Sequence, residues 1–275
     1  MDSIVISPLS PDRREELCSL WCGAFHDDDD FISDFCRRFL SPGAGAQAIS
    51  DDAVLSAGWL LGGFSLSVPG SETLPLGYLY ALATLPEARG RGLGSLVTAE
   101  IVRLSEQRGD AMCCTLPAEP GLYAYYRACG FKTITRACET AVVPALGHNA
   151  PARKVDAEEY LFLRERLLSS TPHISLSTEL MDWQNSFPGG LYDLGSAGIA
   201  CVESDGSSVS VKELLSPRRA LADALSSLAP IFGGGEYTVR TPVFWGIGPE
   251  RDFVMAFGPA ASDILPDTWW GPAFD

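Results

Sequence analysis

The sequence has few residues of the kinds that hold metal ions or nucleic acids. It contains only three histidines, and its eight cysteines include no Cys-x-x-Cys pair. These spacings argue against a metal site and favour reduced, buried thiols. Lysine and arginine are also scarce, since 20 basic residues stand against 35 acidic ones and give a net charge of −15. Because this charge repels phosphates, it argues against nucleic acid or an anionic membrane as a partner.

Long apolar segments are also lacking. No apolar run approaches the roughly 18 residues that a membrane-spanning helix needs. The first residues, Met1 to Ile4, lack the basic and apolar regions of a signal peptide. We therefore expect a cytoplasmic protein. With 275 residues, of which 46% are hydrophobic and 20% charged, the chain can form one large globular domain or two small ones.

The most informative segment is a glycine-rich turn at residues 90–95, between a strand-like run at 78–85 and an apolar-striped helix. A strand end followed by small residues and a helix start points backbone N–H groups at a bound phosphate. Glycine allows close approach of the backbone, and Arg89 and Arg91 add positive charge. The alternative interpretation is a tight connection that binds no ligand.

Two common phosphate motifs do not fit this turn. A nucleotide P-loop requires Lys-Ser or Lys-Thr after the last glycine, whereas Ser95 and Leu96 follow here. A dinucleotide-binding turn has the spacing G-x-G-x-x-G at the start of a βαβ unit. Here the spacing is G-x-G-x-G, and about 80 residues precede it.

A third pattern fits better. Residues Arg89–Gly94 resemble the signature Arg/Gln-x-x-Gly-x-Gly/Ala of the GNAT acetyltransferase superfamily, and Pro86 has the proline position usual in that family. Downstream, residues 122–131 resemble the family's Tyr-x-x-x-Gly-Phe segment, with Tyr126 as the tyrosine. Because both motifs occur in the family's order, residues 3–145 are identified as similar to GNAT proteins.

This resemblance implies an α/β class, the GNAT acyl-CoA N-acyltransferase fold, in which helices flank a mixed twisted sheet. The predicted element order β-α-α-β-β-β-α-β-α-β agrees with it. Prolines and glycines between residues 144 and 153 predict a domain boundary, giving domains 1–145 and 146–275. For the second, smaller α+β domain with its aromatic C-terminal tail, our hypothesis is a degenerate GNAT-like module without a cofactor turn. The predicted helices cover 11–25, 30–40, 92–107, 121–129, 157–168, 177–185 and 217–232.

The resemblance also implies acetyl-coenzyme A as the cosubstrate, with no metal. The developing oxyanion of the thioester is stabilised by an oriented backbone N–H. The strand before the turn, at Leu82, Ala83 and Thr84, is then expected to line the pantetheine arm. The turn is expected to hold the diphosphate through Arg89, Gly90, Arg91, Gly92, Leu93, Gly94 and Ser95.

Tyr126 occupies the family's general-acid position. A phenol with a pKa of about 10 suits protonation of a thiolate leaving group. The alternative is a packing tyrosine in a helix that also contains Tyr123 and Tyr125.

The general base is not evident from the sequence. Some relatives carry a glutamate twelve residues before the tyrosine, where this chain has Cys114, and many carry an asparagine seven residues before it, where this chain has Glu119. The acidic run at residues 27–30, after the first predicted helix, has two interpretations. Either it supplies the base, or it is a solvated loop in which Asp30 caps the next helix. The candidate bases are Asp27, Asp28, Asp29, Asp30, Glu119, Glu139 and the terminal carboxylate of Asp275.

Two functions therefore remain open. The first is an N-acetyltransferase that acts on a primary amine of a small molecule or of a protein. The alternative is an acetyl-coenzyme A-binding module that serves regulation or assembly with little or no turnover. A homodimer is one assembly state that we consider for either function.

Overall fold

The computed structural model describes residues 3–145, 151–265 and 267–274, and the chain forms two compact units. Asp275, one of the candidate bases, lies outside the described residues. Unit 1 comprises Met1–Gly62, Pro75–Lys132 and Met255–Ala261, and unit 2 comprises Gly63–Leu74, Thr133–Val254 and Ser262–Asp275.

Both units contain strands and helices. In chain order the strands are β1 (Val5–Pro8), β2 (Gly45–Ser50), β3 (Ala53–Ser67), β4 (Leu74–Thr84), β5 (Met112–Thr115), β6 (Lys132–Thr133), β7 (Arg136–Val142), β8 (Arg153–Val155), β9 (His173–Leu176), β10 (Gly189–Asp193), β11 (Ile199–Ser204), β12 (Val209–Leu215), β13 (Tyr237–Pro242), β14 (Glu250–Asp252) and β15 (Met255–Phe257). The α-helices are α1 (Arg14–Phe25), α2 (Asp29–Phe39), α3 (Leu93–Arg108), α4 (Pro120–Ala128), α5 (Ala157–Leu168), α6 (Thr178–Asn185) and α7 (Leu221–Phe232). The mixed sheets with their flanking helices confirm the predicted α/β class. Within the described ranges, none of these helices is long and apolar enough to cross a membrane.

Unit 1 contains a mixed sheet in the order β1-β2-β3-β4-β5-β15. The pairs β1/β2 and β2/β3 are antiparallel, and β5 pairs antiparallel with β15. In contrast, β4 and β5 are parallel, and α3 is the helix that connects them. A parallel pair requires such a crossover, because its strands cannot be joined by a hairpin.

The core of unit 1 forms where α3 packs on the sheet. Leu93, Val97 and Ile101 recur at helical spacing and are almost completely buried with residues of β2 and β4. Tyr126 of α4 and the following Phe131 belong to the same cluster. The motif residues of the sequence are thus part of the packing that orients α3 and α4.

Unit 2 has its own sheet, in the order β14-β7-β13-β12-β11-β10-β8. Its parallel pair is β12/β13, and α7 is the connecting helix. The chain therefore contains two sheet-bearing modules, each with a parallel β-helix-β crossover. Strand β7 pairs with β13, so its residues belong to unit 2, whereas the sequence-based division at 145 and 146 groups them with the first domain.

A buried ion pair lies within unit 2. The side chains of Arg164 on α5 and Glu213 on β12 are both fully buried, and Arg164 Nε donates to the carboxylate at 3.1 Å. Tyr160 and Trp269 also donate hydrogen bonds to Glu213, and Arg164 donates to the Trp270 carbonyl. This network fixes the aromatic C-terminal segment to α5 and β12, because each buried charge needs these partners.

Candidate functional site

A cleft of about 530 Å³ opens in unit 1 beside the end of β4 and the start of α3. It brings together the predicted strand residues, most of the predicted turn residues and Tyr126. Its lining consists of Ala24, Phe25, Leu82, Ala83, Thr84, Ala88, Arg89, Gly90, Gly92, Leu93, Gly94, Ser95, Leu122, Tyr125 and Tyr126.

One wall of the cleft is the part of β4 that extends beyond its pairing with β5. The parallel register runs from Leu76 opposite Met112 to Tyr78 opposite Cys114, whereas β4 continues to Thr84. Within this extension Ala81 has a φ of 49°, a left-handed conformation that a residue with a Cβ rarely adopts. A distorted strand end next to a gap in the sheet can present backbone groups to an extended ligand.

The glycine-rich turn forms the end of the cleft. Gly90 and Gly92 have φ values of 75° and 78°, and Gly92 is the N-cap residue of α3. No side chain caps this helix end, and its first turn contains no acidic residue. The backbone N–H groups and the positive end of the helix dipole thus favour an anion here. Among the predicted turn residues Arg91 is exposed and does not line the cleft.

Tyr126 lies on the α4 side of the cleft and is only 6% exposed. Its side chain hydrogen-bonds with Thr115, whose Oγ1 donates to the Leu79 carbonyl at 3.0 Å. Burial raises the pKa of the Tyr126 phenol well above its usual range, and the hydrogen bond with Thr115 offsets only part of this effect. The phenol is therefore protonated at neutral pH, as a proton donor must be.

Sequence reasoning missed several lining residues. Ala24 and Phe25 come from the end of α1, and Leu122 and Tyr125 come from α4. The sequence motifs cannot reveal the contribution of α1, because this contribution depends on tertiary packing. For Tyr125 the available signal was its place next to Tyr126 in the same motif segment.

The acidic run between α1 and α2 has structural partners. Trp21 Nε1 donates to the Asp27 carboxylate at 2.7 Å. Asp28 caps α2 by accepting a 2.7 Å hydrogen bond from the Phe31 backbone N–H. The prediction that Asp30 is the cap is wrong, since α2 begins at Asp29 and the cap must precede the first helical residue.

The other described candidate bases, Glu119 and Glu139, do not line the cleft. Glu139, in unit 2, accepts hydrogen bonds from Arg240 and Arg251 at 3.0 and 2.8 Å. Burial alone would raise the pKa of Glu139, but these two guanidinium groups lower it below its ordinary value. Glu119 is exposed at the N-cap position of α4, and Cys114 is buried with a raised pKa for that reason. Among the described residues that line the cleft there is no carboxylate.

Comparison with known proteins finds a family model that the first part of the chain resembles. Residues 5–134 match the family model described as an acetyltransferase (GNAT) domain. No curated protein sequence matches the chain.

Solved structures resemble the chain over most of its length. A GCN5-related N-acetyltransferase from Kribbella flavida has a TM-score of 0.70 at 17% identity, covering 92% of this chain and 71% of that one. A probable N-acyltransferase from Enterococcus faecalis has a TM-score of 0.69 at 14% identity, covering 97% and 75%. A putative acetyltransferase from Pyrococcus horikoshii has a TM-score of 0.61 at 12% identity, covering 98% and 95%. At these identities the likeness establishes the fold, and it extends over both units.

Proposed function

Because residues 5–134 match the model of an acetyltransferase (GNAT) domain, we propose that the protein is a GNAT N-acetyltransferase. It transfers the acetyl group of acetyl-coenzyme A to a primary amine of a small molecule or a protein. The observation that carries the proposal is the single cleft that joins the extension of β4, the uncapped start of α3 and Tyr126.

The cosubstrate fits this cleft in two parts. The diphosphate binds at the start of α3, where Gly90 and Gly92 bend the chain and the free N–H groups supply donors. The pantetheine arm follows Leu82, Ala83 and Thr84, where β4 has left β5. Arg89 is held next to this path, because its Nε donates to the Thr84 carbonyl at 3.2 Å.

The reaction then needs a polarised carbonyl and a proton for the leaving group. The amine nitrogen forms a bond to the thioester carbon, and the carbon–sulfur bond breaks. A backbone N–H of the β4 extension stabilises the oxyanion, and the Tyr126 phenol donates its proton to the sulfur. The ammonium loses one proton through water to the solvent before attack, since the described lining residues offer no carboxylate. The second proton leaves the nitrogen as the amide forms and, through water, restores the Tyr126 phenol.

Unit 2 is proposed to be a degenerate module of the same type. Its β12-α7-β13 crossover has the connectivity of β4-α3-β5, which supports the proposal. The segment before α7 contains Pro217 and a short turn at Arg218–Ala220 instead of a Gly-x-Gly sequence. We therefore assign the cosubstrate to unit 1.

A second candidate function is binding of acetyl-coenzyme A with little or no turnover. It is favoured by the absence of a carboxylate from the described lining of the cleft and by Cys114, at the position where some relatives have a glutamate. The two functions differ in whether an amine is acetylated, and not in whether the cosubstrate binds.

The test is a thiol-release assay of the full chain with acetyl-coenzyme A. The amine panel comprises an aliphatic polyamine, an arylalkylamine, an aminosugar and peptides with free α- and ε-amino groups. Acetylated product is identified by mass spectrometry, and calorimetry with coenzyme A measures binding. Product with at least one amine supports the transferase. Binding without any product supports the second candidate, and the absence of binding contradicts both.

A further inference from the structure

The side chain of Tyr125 reaches from α4 to the first turn of α3. A Cβ added at Gly94 would lie 3.1 Å from the Tyr125 hydroxyl oxygen. The same oxygen lies 3.1 Å from Thr98 Oγ1, one turn further along α3. The phenol is therefore held directly beside the helix end that faces the cleft.

The Tyr125 hydroxyl has three hydrogen-bonding neighbours, which are Thr98, Ser95 and Cys129. A phenol can accept two hydrogen bonds and donate one. In the Thr98 contact either oxygen can be the donor, and the Cys129 thiol is only a weak acceptor, so a charged phosphate oxygen in the cleft would be the stronger acceptor of the phenol proton. Burial has the largest effect on the pKa of Tyr125 and raises it, so the group stays protonated at neutral pH.

The surroundings favour an anion as the acceptor of that proton. The start of α3 has no side-chain cap and no acidic residue in its first turn. Gly92, Gly94 and Ser95 line the cleft together with Tyr125. A phosphate oxygen at this helix end is thus close to a fixed hydroxyl as well as to backbone donors.

We propose that Tyr125 is a second tyrosine of the donor site, which donates a hydrogen bond to the diphosphate of the bound cosubstrate, with Thr98 as its positioning residue. This inference rests on the proposed function. The inference assigns proton donation to Tyr126 and a hydrogen bond to the diphosphate to Tyr125. Tyr126 is directed to Thr115, and Tyr125 is directed to the start of α3. Consecutive residues of a helix point about 100° apart, which allows this division.

The test measures the dissociation constant of coenzyme A for the full chain by calorimetry. Tyr125→Phe is expected to raise it about fivefold to tenfold, because a hydrogen bond to a charged oxygen is lost. Thr98→Val should raise it about twofold to threefold, and the double variant should bind no more weakly than Tyr125→Phe alone. Tyr123→Phe, on the same helix but outside the cleft lining, is the matched control and should bind like the original protein.

A second readout locates the contact. In phosphorus NMR of bound coenzyme A, the diphosphate signals should shift in Tyr125→Phe but not in Tyr126→Phe, and circular dichroism checks that each variant is folded. Unchanged affinity and unchanged diphosphate signals in Tyr125→Phe would overturn the inference, as would additive effects in the double variant. If the original protein does not bind coenzyme A at all, it is the proposed function that fails.

Discussion

Thr115, at the end of β5, connects this strand to β4 at the point where the two strands separate. Its Oγ1 donates a 3.0 Å hydrogen bond to the Leu79 carbonyl of β4. Leu79 directly follows Tyr78, the last residue of β4 that pairs with β5. Tyr126 hydrogen-bonds with the same threonine. The Tyr126 phenol thereby lies where β4 and β5 separate, and the proposed pantetheine path begins at this point.

Tyr126→Phe is expected to lower kcat by about 10² to 10⁴, the usual contribution of a positioned general acid. The dissociation constant of coenzyme A should change by less than about twofold, since the variant keeps the ring that packs against Phe131. Steady-state kinetics with the best amine of the panel and calorimetry measure the two quantities. A folded variant with unchanged kcat would remove Tyr126 from the mechanism.

Gly94→Ala is expected to weaken coenzyme A binding severalfold. The added Cβ would lie 3.1 Å from the Tyr125 hydroxyl and 3.6 Å from Thr84 Oγ1, so the phenol must move away from the start of α3. Gly121→Ala is the matched control, because its Cβ would meet no atom within 4 Å. The control should keep the original affinity and gain up to about 1 kcal/mol of stability, since alanine favours a helix. Equal affinities for the two variants would contradict the close approach at Gly94.

Arg164→Met is expected to destabilise the protein by about 3 to 5 kcal/mol, because it leaves the buried Glu213 carboxylate without its charged partner. The double variant Arg164→Met/Glu213→Gln should lose clearly less stability. Its amide oxygen can still accept from Trp269, and its amide nitrogen can donate to the Tyr160 hydroxyl, while the buried charge is gone. Urea unfolding followed by tryptophan fluorescence gives both values. A double variant as unstable as the single one would show that packing, and not charge, is the cause.

Asp28→Ala should cost about 1 kcal/mol of stability, because the backbone N–H of Phe31 loses its acceptor at the start of α2. Asp30→Ala is the control, since Asp30 lies inside the first turn and caps nothing. Thermal unfolding of the two variants at pH 7 compares them. A greater loss of stability in Asp30→Ala than in Asp28→Ala would support Asp30 as the cap, as predicted from the sequence.

Glu139 should make unit 2 sensitive to acid. Its pKa is lower in the folded state than the value of about 4.3 expected for an unfolded glutamate. The stabilisation by Arg240 and Arg251 is therefore fully present above pH 5 and is lost as the pH falls through the folded pKa. In Glu139→Gln, stability at pH 7 should drop by about 1 to 2 kcal/mol and decline less steeply between about pH 5 and pH 3. Denaturation curves across that range measure both effects, and parallel declines would contradict the assignment.

The long helices could be predicted from the sequence because their apolar residues recur with a clear period. The prediction for α5 agrees with the structure at both ends, and that for α3 lies within one residue. Strands β8, β9, β10, β14 and β15 were not predicted, because three to five residues carry too little pattern. Within the site, the motifs indicated the turn and Tyr126. The place of Tyr125 depends on how α4 packs against α3, which no local pattern records.

The position of β15 has a consequence for how the protein is made. This strand pairs with β5 in unit 1, although about 140 residues separate the two in the chain. A ribosome must therefore translate the chain as far as Phe257 before the sheet that carries the cleft can be completed. Until then the edge of β5 has no neighbour on that side and can recruit other strands. A gene fragment that stops after residue 134, where the match to the family model ends, would encode this sheet without β15.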